Sequence, residues 1–115
     1  MSDVVIWHNP RCAKSRETLT LLEERGIEPV VRLYLTDPPN ADEIRRAAEK
    51  LGLRPIGMMR TKEAEFREQR LSQDMDDERL IAAMAATPKL IERPIVFSNG
   101  KAALGRPPED VLKIL

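Results

Sequence analysis

The chain's single cysteine and single histidine stand four residues apart, in the run His8-Asn9-Pro10-Arg11-Cys12-Ala13-Lys14-Ser15-Arg16. Sulfur attacks as the thiolate, and a thiol of ordinary pKa, about 8.5, is only about 3% ionised at pH 7. The neighbours of Cys12 are of types that favour ionisation. Arg11, Lys14 and Arg16 are cationic, His8 is within reach, and the Ser15 hydroxyl can donate a hydrogen bond to sulfur. A lone cysteine closes no intrachain disulfide, so Cys12 is a small packed hydrophobe, a metal ligand without companions or a reactive thiol. The polar segment around it favours the third. One Cys and one His do not make a structural zinc site, so no metal is expected. The five methionines, Met58-Met59 among them, suit core filling better than soft-metal binding.

Two thiol motifs can be tested directly. Cys-x-x-Cys fails because position 15 is Ser, so a resolving thiol must come from another molecule. The phosphatase pattern of Cys, five residues and Arg fails because position 18 is Thr.

Elements must hold this loop in place. Val4-Val5-Ile6-Trp7 is an apolar run stopped by His8-Asn9-Pro10, which predicts a buried strand, and Ser15 to Arg25 follows with helical spacing and Gly26 as its stop. Cys12 thus falls at a strand-to-helix turn, where the unpaired N–H groups and positive dipole end of the helix favour an anion. Pro29 to Leu35 is predicted as a second strand, parallel to the first if the two share a sheet. Asn40 with Glu43 forms a capping box for a helix ending near Gly52, and further helices are expected over Ile56–Arg70 and Asp76–Ala86. Pro94–Ser98 and Lys101–Leu104, joined by Asn99-Gly100, predict a hairpin with a type I′ turn. Pro107-Pro108-Glu109 opens a last helix with Val111, Leu112 and Leu115 inward. The order is α/β: a βαβ unit, a helical insert over about 40–88, a β hairpin and a C-terminal helix. A four-stranded mixed sheet of thioredoxin-like fold fits it.

The 115 residues, 42% hydrophobic and 33% charged, are expected to form a single domain over 1–115. Lys plus Arg (19) balance Asp plus Glu (19), so no broad positive field gathers nucleic acid or anionic membrane. No basic leader precedes the short apolar start and no run approaches the roughly 20 residues that span a bilayer, so a cytoplasmic protein is expected.

The segment from His8 to Arg16 resembles the active-site segment of glutaredoxin-linked arsenate reductases. Met59-Arg60-Thr61-Lys62-Glu63, Ile91-Glu92-Arg93-Pro94-Ile95-Val96 and Gly105-Arg106-Pro107-Pro108-Glu109 are similar to that family's other blocks, in the same order. The resemblance implies a thioredoxin-like fold, Cys12 as nucleophile, and His8, Ser15 and Arg16 in supporting roles. It implies Arg60, Arg93 and Arg106 as ligands of an oxyanion, and a cis peptide at Arg93-Pro94. It further implies arsenate as substrate, glutathione as co-substrate with no bound cofactor, and glutaredoxin as protein partner. Arginine suits such a substrate, because its planar fork of N–H donors matches a tetrahedral oxyanion. Two alternatives share the fold: a non-enzymatic regulator that binds RNA polymerase, against which Ser15 argues because such regulators often carry Cys-x-x-Cys, and a reductase of glutathionylated proteins.

Overall fold

The computed structural model describes residues 3–115. Its backbone divides into two compact units, one running to Asp37 and resuming over Arg93–Leu115, the other Pro38–Glu92.

In the first unit, strand β1 (Val5–Trp7) lies between β2 (Val30–Arg32) and β3 (Ile95–Ser98), with β4 (Lys101–Leu104) outermost, in the order β2-β1-β3-β4. β1 runs parallel to β2 and antiparallel to β3, and β3 and β4 form the hairpin. The helix α1 (Ala13–Glu24) connects β1 to β2. Asn99 and Gly100 have φ of 55° and 73°, the two positive angles a type I′ turn requires. Ser15, Thr18 and Leu22 form the buried face of α1, spaced by three and four residues. Val4, Ile6, Leu22, Val96, Val111 and Ile114 make the core.

The expected second strand is longer than the one observed. The His8 N–H donates to Arg32 O, and beyond that bond β1 offers β2 no more backbone to pair with. Residues 33–36 turn instead, with the N–H groups of Thr36 and Asp37 both on Leu33 O, while Tyr34 is buried. The final helix is also corrected: Pro108–Ile114 is a 3₁₀ helix. Its buried residues, Pro108, Val111 and Ile114, repeat every three positions, the period of a 3₁₀ turn, whereas Leu115, expected inside, is exposed.

In the second unit, α2 (Ala41–Leu51) opens on the expected capping box: Asn40 Oδ1 accepts from the Glu43 N–H and Glu43 Oε1 from the Asn40 N–H. It packs on α4 (Asp77–Ala86), with Ile44, Ala47, Leu80 and Met84 buried. The helix expected over Ile56–Arg70 is not continuous. Pro55–Met58 is a 3₁₀ turn, and only α3 (Ala64–Glu68) is α-helical. Between them the backbone is extended and bridges Met59 to Ile91, with the Arg60 N–H on Leu90 O and the Glu92 N–H on Met58 O. Those tertiary bonds claim the groups that a helix would have paired internally. Met58 and Met59 are buried, as core filling required.

Candidate active site

Asn9 shapes the loop that carries the cysteine. Its side-chain oxygen accepts from the Arg11 N–H (3.0 Å), its carbonyl accepts from the Cys12 N–H (3.0 Å), and its own N–H donates to Ser15 Oγ (3.0 Å). An Asn-Pro step before a helix is a turn signal, and the loop-shaping part played by Asn9 is legible in that step. Cys12, in extended geometry, is the N-cap of α1, which begins two residues earlier than expected. Its carbonyl accepts the first helical bond, from the Arg16 N–H (3.0 Å).

The Cys12 sulfur therefore sits where a capping side chain's oxygen ordinarily sits, facing the N–H groups of the second and third helical residues. No formal side-chain cap bond closes, but those dipoles act on the sulfur's charge. Burial pushes the thiol pKa up. The Ser15 N–H, the positive charge of Arg93, the Lys14 N–H and a hydrogen bond from the Arg93 side chain outweigh it, so the thiol lies below its ordinary value. Cys12 is 9% exposed, nearly buried yet on the rim of an oriented N–H cluster.

The Ser15 hydroxyl does not serve the sulfur as expected. Ser15 is fully buried, and its Oγ lies 2.7 Å from His8 Nδ1 while accepting from the Asn9 N–H, so its contribution to Cys12 is made by the main chain. Helix geometry is the reason: at the third position the N–H points to the cap while the side chain turns inward under the loop. His8 is buried, and desolvation, then the nearby charge of Arg16, hold it below its ordinary pKa, leaving the ring neutral at pH 7. Arg16 is exposed and reaches back to Pro10 O (3.0 Å), bracing the loop from outside.

Arg93 and Arg106 are tied together, Arg106 Nε donating to Arg93 O at 3.0 Å. Both the Arg93-Pro94 and Arg106-Pro107 bonds are cis. Cys12, His8, Ser15, Arg16, Arg93 and Arg106 thus belong to the first unit, and Arg60 to the second. There Arg60 is ion-paired with Glu63 at 2.5 Å, and Lys89 joins Glu63 to Glu65. Among the described residues no group of three or more His, Cys, Asp or Glu side chains is placed to hold a metal ion.

A single cysteine whose thiolate is favoured at the N-terminus of the first helix, in a β-α-β unit completed by a β hairpin, defines a thiol protein of thioredoxin-like fold. Within that class the chain belongs to the ArsC family, whose model matches residues 7–114. A solved structure of an arsenate reductase from Vibrio cholerae superposes with a TM-score of 0.94 at 54% identity, covering 97% of each chain. An arsenate reductase of Neisseria meningitidis is 48% identical over 117 residues, covering 100% of both chains. The uncharacterized protein YfgD of Escherichia coli K12 is 52% identical over 114 residues, 97% of this chain and 96% of that one.

Proposed function

We propose that this chain is an arsenate reductase that uses Cys12 as nucleophile and glutathione as the second thiol. The observation that carries the reading is the Cys12 sulfur at the helix cap, held toward its charged form by two backbone N–H groups and Arg93, in a chain with no other cysteine. In the first step the thiolate attacks arsenic(V), a sulfur–arsenic bond forms and one oxygen leaves as water. Glutathione then attacks the adduct. The two sulfurs together give two electrons to arsenic, which departs as arsenite, and a disulfide links Cys12 to glutathione. The sum is one arsenate and two thiols giving one arsenite, one disulfide and one water.

Arg60, Arg93 and Arg106 would bind and neutralise the oxyanion, with His8, Ser15 and Arg16 keeping the loop and helix cap in shape. Glutaredoxin is the partner suited to a protein–glutathione disulfide, because Ser15 stands where an internal resolving cysteine would be. No bound cofactor is needed, since both electrons come from thiols. No helix among the described residues is long and apolar enough to cross a membrane. The cytoplasm, where glutathione keeps thiols reduced, is the compartment the chemistry needs.

Arsenate turnover by the purified protein with glutathione, glutaredoxin and an NADPH-coupled reductase tests the reading. Protein trapped during turnover should carry one glutathione at Cys12. Sustained turnover with thioredoxin and its reductase as the sole thiol source would refute the mechanism.

A further inference from the structure

Gly105 follows β4 and has no positive φ to explain its type. A Cβ built on it would lie 2.5 Å from Thr18 Oγ1 and 2.7 Å from Pro94 Cγ, distances that real Cβ contacts do not reach. The backbone at Gly105 is therefore wedged between helix α1 and the cis-proline segment. Both sides of the wedge are fixed. Thr18 is fully buried and its hydroxyl donates to Lys14 O at 2.8 Å, within the turn of α1 that holds the Cys12 sulfur. On the other side the Gly105 N–H donates to Pro94 O at 3.0 Å, and the next residue, Arg106, donates from Nε to Arg93 O at 3.0 Å. One short segment thus latches the Arg93-Pro94 backbone at two points and lies against α1 at a third.

We propose that Gly105 is a positioning residue: by lacking a side chain it lets the Arg93-Pro94 segment close on α1 and sets the Arg93 guanidinium against the Cys12 sulfur. The inference rests on the reading of Cys12 as the reactive thiol, and not on arsenate as its substrate. A methyl group at position 105 must displace Pro94, Thr18 or both. Pro94 carries Arg93 with it, whereas Thr18 is anchored by its own helix. The charged or titratable groups next to Cys12 in sequence, His8, Arg11, Lys14 and Arg16, belong to its own loop and helix, so the displacement leaves them in place, and Arg106 is tied to the Arg93 backbone and moves with it. The effect on the thiol should come through Arg93.

The test is the pH dependence of Cys12 alkylation by iodoacetamide in the full chain, with folding checked by circular dichroism and thermal unfolding. Gly105→Ala should move the alkylation midpoint upward and lower the rate at pH 7 several-fold. Adding Thr18→Ala, which opens room on the helix side, should return the midpoint to near its original value. A merely structural role would lower the unfolding temperature without moving the midpoint. A folded Gly105→Ala protein with an unchanged midpoint overturns the proposal, and so does a double variant whose midpoint stays high. Should Gly105→Ala alone fail to fold, the double variant decides by the same criterion. Arsenate turnover measured alongside separates the two readings: its absence in a protein that shows these midpoint shifts would remove the substrate and leave the positioning role intact.

Discussion

Arg93, remote from Cys12 in sequence, is among the described residues the side chain whose charge draws the Cys12 thiol below its ordinary pKa. The cations beside Cys12 in sequence are turned to other tasks: Arg11 is exposed, Lys14 pairs with Glu17 at 3.9 Å and Arg16 holds Pro10 O. A thiolate in this setting is stabilised by a partly buried guanidinium and two peptide dipoles, and these are screened less than surface lysines are.

Arg93→Ala should therefore raise the midpoint of Cys12 alkylation against pH, while Arg11→Ala should leave it nearly unmoved. The sign extends to stability. The folded chain holds the thiolate better than the unfolded chain does, so this contribution is fully present above the unfolded thiol's pKa. It is lost as the pH falls through the folded value. Denaturant midpoints of native protein and of Cys12→Ala, compared across that range, should converge at the low end.

His8 works in the same direction at lower pH. Its folded pKa is depressed, by burial first and Arg16 second, so the unfolded chain binds the proton more readily. Stability should drop as the pH falls below the ordinary histidine range and through the folded value, and His8→Gln should flatten that drop. Urea unfolding at pH 7.5 and at pH 5.5 measures it.

Ser15→Ala keeps the main-chain N–H that faces Cys12 and removes the hydroxyl that pairs with His8 and Asn9. The expected result is a loss of about 1–3 kcal/mol in stability, the cost of leaving a buried polar partner unmatched, with a smaller change in alkylation midpoint than Arg93→Ala gives. A midpoint shift equal to that of Arg93→Ala would mean that the hydroxyl serves the sulfur directly.

Arg60→Ala, Arg93→Ala and Arg106→Ala should each lower kcat/KM for arsenate by roughly 10- to 150-fold, the equivalent of a lost charge-assisted hydrogen bond of about 1.5–3 kcal/mol. Arg46, exposed on α2, is the proper control and should show little change. Arg45 is not one: it pairs with Glu78 on α4 and with Asp42, so its loss should lower the unfolding temperature instead of catalysis.

The sequence by itself determined whatever rests on local chemistry. The Asn40–Glu43 capping box, the Asn99-Gly100 turn, the stop at Gly26 and the placing of Cys12 at a strand-to-helix turn each depend on a few adjacent residues whose backbone preferences agree. A helix cap needs only its own first turn, so a thiol favoured by its position was legible too. Tertiary structure decided the rest. Met59 and Arg60 have helical neighbours, yet their backbone is drawn into a bridge with Leu90–Glu92, and β2 stops at Arg32 because its partner strand ends. Which arginine serves the sulfur and why position 105 is glycine depend on segments remote in sequence that meet only in the folded chain. Spacing along the chain carries no information about such contacts, because they are fixed by packing three segments within a few ångströms of one another.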